Sequence, residues 1–276
     1  MRATFVLKET KTPSRRRPVS FTMMNPDGYI QEQIQDKDAG YEPGIRYALH
    51  QLYMALSPQR GIQFIDVGSG HGFYPCMLKK RYGNCIYSHA IEPDPETFLV
   101  LKENLDRNDV FGEAHNIALT DNGADSYIHD RRLVFTKPFV EKAAPIKTTT
   151  LGDFYNPGTS TVVMIDAGGS EGLVLKGAKN ILPDLAAVIL RLRPKQELVR
   201  GFTYLEMYQM LVGANMQLYE CDRFYSSNFG FTNASTAKLK DNLVHKGNWS
   251  KESLEHGRVI IATHRIHNAA AMFSGR

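Results

Sequence analysis

A strand of the buried type that runs directly into a glycine-rich turn constrains this fold more than any other feature of the sequence. The apolar run IQFIDV at 62–67 ends in GSGHG at 68–72, and a second run, CIYSHAI at 85–91, ends in Glu92, Pro93 and Asp94. Glycines after a strand let the backbone approach a ligand without a Cβ clash. An acidic residue at the end of the next strand suits the hydroxyls of a ribose, so the pair predicts a nucleotide-type cofactor site at the carboxyl edge of a sheet.

The rest of the chain alternates strand and helix patterns. Amphipathic helices are predicted from Ile45 to Leu56 and from Pro95 to about Asn108, with Asp94 as the N-cap of the second. A further helix is predicted after Ser170 as its cap, and another at 202–213. Strands are predicted at 113–119, 161–166, 186–193, 216–221 and 258–264. This alternation predicts an α/β fold with a doubly wound, mostly parallel sheet.

Composition limits the function classes and the domain organisation. Length (276 residues) permits one large domain or two, and 42% hydrophobic content excludes wholesale disorder. No apolar run approaches the length of a membrane span. Three cysteines without a CxxC pair indicate a reducing compartment, and we expect the cytoplasm.

The net charge of +4 is unevenly distributed along the chain. Residues 1–24 hold six basic residues against one acidic, residues 25–190 hold fifteen against twenty-one, and residues 191–276 hold twelve against seven. We expect residues 1–24 to form a loosely ordered basic arm and residues 25–276 to form a single domain. The basic ends keep an RNA-modifying enzyme open as an alternative, because phosphate contacts need Lys and Arg.

The spacing of the glycines discriminates between cofactors. A dinucleotide fingerprint has the pattern G-x-G-x-x-G, whereas here Phe73 stands where the last glycine would fall. The pattern Gly68-x-Gly70-x-Gly72, with Asp66 two residues before it, suits S-adenosylmethionine, which carries no pyrophosphate. A nicotinamide-dependent oxidoreductase on the same sheet is a further alternative.

Several blocks in this order resemble the FkbM-type S-adenosylmethionine-dependent methyltransferases. The matching blocks are FIDVGSGHGFYP, AIEPDPETFLVLKENL, NIALTDN, TTTLGDF and MIDAGGSEGLVLKGAKNIL, and the likeness extends from about Tyr41 to His264. The resemblance implies a seven-stranded class I methyltransferase fold and O-methylation, often of a sugar or glycan hydroxyl.

The resemblance also implies site residues by position. Asp66, Gly68 and Gly70 would hold the methionine part of the cofactor, and Glu92 would take the ribose hydroxyls. The segment Asn116, Ile117 and Ala118 would flank the adenine. The neighbouring Ser69, Pro93 and Asp94 complete the set of expected cofactor-binding residues.

The candidates for the transfer step lie after the fourth predicted strand and in the glycine turn. Asp166, Glu171 and His71 are candidate general bases, because an acceptor hydroxyl must lose a proton. Asp166 is also a candidate ligand for a divalent metal, although the sequence does not indicate one. The chain departs from the family at Gly168, where a Glu is usual.

The chain departs from the family again on the next predicted strand. Arg191 and Arg193 replace an expected Glu there, and we expect both to bind the acceptor. Two cations at this position predict an acceptor that carries phosphate or carboxylate rather than a long nucleic acid.

Overall fold

The computed structural model describes residues 2–7, 19–24, 41–56, 61–123, 126–129, 132–134, 144–193, 202–226, 229–233 and 257–264. The first elements along the chain are β1 (Arg2–Leu7), β2 (Val19–Met24), α1 (Pro43–Ala55), β3 (Ile62–Val67), α2 (Phe73–Tyr82), β4 (Ile86–Ile91), α3 (Pro95–Arg107), β5 (Gly112–His115), β6 (Ala118–Leu119) and β7 (Ser126–His129). They are followed by β8 (Arg132–Val134), β9 (Ala144–Ile146), β10 (Thr148–Thr149), β11 (Ser160–Ile165), α4 (Glu171–Gly177), β12 (Ala187–Leu192), α5 (Tyr204–Gly213), β13 (Gln217–Asp222), β14 (Gly230–Asn233) and β15 (Arg258–Thr263).

The central sheet has eight strands in the order β14-β13-β15-β12-β11-β3-β4-β5. From β12 to β5 all neighbours run parallel, while β15 is antiparallel to both β12 and β13. The prediction of a doubly wound, mostly parallel sheet is confirmed. The sheet has eight strands rather than the expected seven, because β14 adds an antiparallel strand outside β13. After β3 the chain adds β4 and β5 on one side of β3, and it later adds β11 and β12 on the other side. The strand order therefore reverses between β3 and β11. Ligands of such sheets bind at this point.

The sheet is buried on both faces, which explains its nearly continuous apolar strands. On β3, Phe64 belongs to the apolar cluster that contains residues of α1, α2 and α3. The next residue, Ile65, belongs to a second cluster with residues of α4 and α5. None of the helices in the described ranges is both long enough and apolar enough to cross a membrane.

The N-terminal segment contributes two strands to the described part of the chain. β1 and β2 pair antiparallel over six residues each. The side chains of Phe21 and Met23 are 3% and 0% exposed, and Asn104 of α3 donates to the carbonyl of Met24 at 3.0 Å. Strand β2 is therefore part of the core at α2 and α3, because alternate apolar residues give it a buried face.

Two local predictions also need correction. The single strand predicted at 113–119 is two strands, since β5 ends at His115 and β6 pairs instead with β10 in a separate parallel pair. Helix α4 is only seven residues long, and its N-cap Ser170 makes no side-chain capping hydrogen bond. By contrast, Asp94 caps α3 as predicted, with Pro95 in the first turn.

Candidate functional site

A cavity of about 220 Å³ lies at the carboxyl ends of β3, β11 and β12, at the reversal of strand order. The glycine turn and the start of α2 form one wall, and the start of α1 forms another. Asp66, Gly68, Ser69, Gly70 and His71 from the predicted site line it together with Asp166, Arg191 and Arg193. The fold therefore brings residues of three predicted segments to one place, namely 66–71, Asp166 and 191–193.

Gly68 holds the glycine turn against the neighbouring strand. Its φ is +79°, and a Cβ built on it would lie 2.0 Å from the carbonyl oxygen of Asp166. The amides of Gly68 and Ser69 both donate to the carbonyl of Ile91 at 2.9 Å. Only glycine permits this approach. The sequence pattern predicts that the glycines allow a close approach to a ligand, whereas at Gly68 the close approach is to the backbone at the end of β11.

The carboxylate of Glu92 is held by backbone amides of the turn and of its own strand end. Oε2 accepts from the amide of Gly70 at 3.0 Å, and Oε1 accepts from the amide of Asp94 at 2.9 Å. Burial nevertheless outweighs these bonds and raises the pKa of Glu92 to about 7. Asp94 itself is engaged in capping, because it accepts from the amide of Thr97 at 2.9 Å.

Asp66 is buried beneath the same turn. It is 2% exposed, and Ser69 Oγ donates to its Oδ2 at 2.6 Å. Burial raises the pKa of Asp66 to about 7, and the nearby carboxyls of Asp166 and Glu92 add to the rise.

The predicted adenine segment lies beside Glu92. Asn116 donates to the carbonyls of Glu92 and Pro93 at 3.0 and 3.1 Å, which ties the ends of β4 and β5 together. Ile117 is partly buried, and Ala118 is 2% exposed. None of the three belongs to the lining of the 220 Å³ cavity, so their contact with an adenine stays a prediction.

Asp166, Arg191 and Arg193 form a buried ionic network. Arg193 makes two hydrogen bonds to Asp166, both of 2.7 Å, and Arg191 Nη1 makes a third at 3.0 Å. Burial favours the neutral form of Asp166, but Arg193 and Arg191 outweigh it and lower its pKa to about 2. A carboxylate with this pKa is a weak general base. Its oxygens also accept hydrogen bonds from two guanidinium groups. Such a cationic environment does not suit a divalent metal ion, which needs several oxygen ligands.

Arg191 connects this network to the start of α1. The same Nη1 donates to Glu42 Oε1 at 2.7 Å, and the Tyr74 hydroxyl donates to Glu42 Oε2. The Arg191 guanidinium also lies 5.0 Å from the ring centroid of Phe224, which lies between β13 and β14. Carboxylates compensate both arginines in this structure, and the binding of an acceptor by Arg191 and Arg193 stays a prediction. Arg193, with a side chain 31% exposed against 6% for Arg191, is the more accessible of the two.

The other two candidate bases differ in their surroundings. Glu171 is 4% exposed and accepts from the amide of Gly169 at 3.1 Å. Burial raises its pKa to about 7, but it is not among the residues that line the cavity. His71 does line the cavity, and its side chain is partly exposed.

Several lining residues were not predicted from the sequence. They are Tyr41, Glu42, Phe73, Tyr74, Thr97 and Met164. Glu42 has φ +42°, an unusual conformation for a residue other than glycine, and it is 6% exposed. The only sequence signal was an acidic residue next to an aromatic one before a helix-initiating proline, in Tyr41-Glu42-Pro43.

No protein-family model and no curated protein matches the chain. Among solved structures, an O-methyltransferase from a trans-AT PKS multienzyme of Brevibacillus brevis, in complex with S-adenosyl-L-homocysteine, is 12% identical over 91% of this chain and 81% of its own, with a TM-score of 0.44. The human methyltransferase 10 domain containing protein is 13% identical over 80% of each chain, with a TM-score of 0.42. Precorrin-6y C5,15-methyltransferase from Geobacter metallireducens GS-15 is 12% identical over 79% of this chain and 87% of its own, with a TM-score of 0.38. The fold itself follows from the strand order of the central sheet.

Proposed function

We propose that this chain is an S-adenosylmethionine-dependent methyltransferase that methylates a hydroxyl of a sugar, a glycan or a small glycosylated acceptor. The observation that carries the proposal is the excess of buried carboxyl groups around the glycine turn. Asp66, Glu92 and Glu171 each have a pKa raised to about 7. The guanidinium groups of Arg191 and Arg193 are engaged by Asp166 and Glu42.

A cationic ligand relieves this excess of negative charge. Burial penalises the ionised carboxyls, and a nearby positive charge favours them. S-adenosylmethionine carries a sulfonium and an ammonium group, and when bound it supplies an activated methyl group. Asp66 and the turn would hold its charged end, while Glu92 would accept the ribose hydroxyls. Each Glu92 oxygen accepts one amide in the structure, which leaves lone pairs for those bonds.

The same charges argue against the nicotinamide alternative. A dinucleotide pyrophosphate would lie at the glycine turn beside Asp66, which is buried and acidic. In addition, the position of a third glycine is occupied by Phe73, which is 3% exposed and packs against Phe21 and Tyr41. The site therefore favours a cation over a diphosphate.

The chain's part in the transfer is to orient the acceptor and remove its proton. Of the candidate bases, His71 and Asp166 both line the cavity. Asp166 is hydrogen-bonded to Arg191 and Arg193, so we assign proton removal from the acceptor hydroxyl to His71. Asp166 fixes Arg193 at the cavity edge with two hydrogen bonds, and Arg193 is the residue we assign to the acceptor. Glu171 does not line the cavity. We therefore assign it a contribution to the charge of the site rather than contact with the acceptor.

The acceptor class rests on the FkbM-type resemblance of the sequence. A radiolabelled methyl-transfer assay with panels of glycans, small glycosides and RNA tests it directly. We expect labelling of a glycan or glycoside, with turnover reduced at least tenfold by His71→Ala and binding of the cofactor unchanged. Labelling of RNA alone would refute the acceptor class. Failure to label any acceptor, with S-adenosylmethionine left unbound, would refute the proposed function as a whole.

A further inference from the structure

A second group of polar side chains lies on the sheet away from the site described above. Among the residues described, His89, Glu113 and His115 form the one group of three metal-ligating side chains whose ligand atoms all lie within 4.8 Å of one another. His89 is on β4, and Glu113 and His115 are on the edge strand β5. His89 is the register partner of Glu113, and residues two apart on β5 point to the same face. Two adjacent strands therefore present all three side chains together.

From this arrangement we propose that His89, Glu113 and His115 bind a Zn²⁺-class transition metal. Two imidazoles and one carboxylate, with a fourth position for water, are a ligand set of open zinc sites. Nitrogen and oxygen ligands favour Zn²⁺ over the hard cations Mg²⁺ and Ca²⁺, which prefer oxygen ligands alone.

The distances agree with tetrahedral coordination. Zinc bonds to nitrogen and oxygen of about 2.0–2.2 Å imply that neighbouring ligand atoms are about 3.3–3.6 Å apart. His89 Nδ1 lies 3.1 Å from His115 Nε2, which in turn lies 3.6 Å from Glu113 Oε2. These two separations are within a few tenths of an ångström of the tetrahedral values, and the third, between His89 and Glu113, is at most 4.8 Å.

Neighbouring residues already orient the ligands. The Tyr87 hydroxyl donates to Glu113 Oε1 at 2.6 Å, so the other carboxylate oxygen, Oε2, is the one turned to the histidines. The ring of Phe154 packs edge-on against both imidazoles, with centroid distances of 5.3 Å to His89 and 4.9 Å to His115. Such partners fix ligand orientation in metal sites.

Space is available for a water or a small ligand at the fourth position. A cavity of about 630 Å³ adjoins the group and includes all three side chains in its lining. Asp153 also lines it, but its Oδ2 accepts hydrogen bonds from Thr149 and Thr150, so it is committed to its own turn. The cavity lies on the face of the sheet that carries Phe154, and its residues are distinct from those lining the cofactor cavity.

Titration of the full-length, metal-free protein with Zn²⁺ in a calorimeter tests the proposal. We expect saturable binding of one ion per chain, and Co²⁺ in its place should give the visible absorption of a tetrahedral site. His89→Ala and His115→Ala should each weaken binding at least tenfold. Glu113→Gln should also weaken it, and because the Glu113 side chain is 59% exposed this variant should fold normally.

His264→Ala is the matched control, since this histidine lies outside the group and contacts the Leu182 carbonyl instead. It should bind Zn²⁺ as the unaltered protein does. Zn²⁺ should also raise the melting temperature of the control but not that of Glu113→Gln. Absence of saturable binding would overturn the proposal, as would binding that survives both His89→Ala and Glu113→Gln.

Discussion

Replacement of Arg191 by methionine tests how the cofactor site is held together. Arg191 Nη1 donates to Glu42 at 2.7 Å and to Asp166 at 3.0 Å, and the side chains of Arg191 and Glu42 are each 6% exposed. Loss of one member of a buried ion pair costs about 3–5 kcal/mol, because the remaining charge is uncompensated. Tyr74 still donates to Glu42, and Arg193 still pairs with Asp166, so we expect the lower end of that range.

For a domain of this size, each kcal/mol lowers the melting temperature by about 2–4 °C. We therefore expect Arg191→Met to melt about 6–12 °C lower in a circular dichroism scan. Arg193→Met is the matched control, with a side chain 31% exposed and Asp166 as its carboxylate partner, and its effect should be about 1 kcal/mol. Adding Glu42→Gln to Arg191→Met should recover part of the loss, because a neutral amide replaces the unpaired carboxylate. A melting temperature within 2 °C of the unaltered protein, or no recovery in the double variant, would refute the reasoning.

Three further predictions follow from the glycine turn and from the buried carboxyls. Gly68→Ala should lower the free energy of unfolding by more than about 2 kcal/mol, since the left-handed conformation alone costs 1–2 kcal/mol and the new Cβ would lie 2.0 Å from the Asp166 carbonyl; an unchanged denaturant midpoint would contradict this. Binding of S-adenosylmethionine should release protons at pH 6.5, because a cation lowers the pKa of Asp66, Glu92 and Glu171 from about 7, so affinity should rise with pH through 7. Calorimetry in two buffers of different ionisation enthalpy measures the release, and equal binding enthalpies would argue against it. Without ligand, these three carboxyls have pKa values above their unfolded values, so they should cost stability as pH rises from about 4.5 to 7. The pKa of Asp166 is lowered to about 2, so protonation of this carboxylate should instead reduce the free energy of unfolding as pH falls below about 4. Denaturation midpoints measured across this pH range check the direction of both effects.

Features that depend on neighbouring residues could be predicted from the sequence. The turn after β3 needs glycine because its backbone lies close to the end of β11. The glycines of this turn can be read directly from the sequence. Asp94 and Pro95 mark the start of α3 by local capping chemistry. The alternation of strands and helices was sufficient to predict the parallel sheet.

Features that depend on distant partners could not be predicted. Glu42 meets Arg191 across 149 residues of sequence, and nothing local to either residue indicates the contact. The sequence around Arg193 likewise gives no indication that Asp166, 27 residues away, is its carboxylate partner. Phe21 and Met23 alternate as strand residues do, yet the surrounding basic residues obscured this signal.

The central claim is that the carboxyl-rich cavity binds a cationic nucleoside cofactor. Calorimetric titration of the purified protein with S-adenosylmethionine tests it most directly, with NADH as the comparison ligand. We expect one-site binding of S-adenosylmethionine, at least tenfold weaker in Asp66→Asn and in Glu92→Gln, and no binding of NADH. Binding of NADH without S-adenosylmethionine, or S-adenosylmethionine binding that both variants leave unchanged, would contradict it.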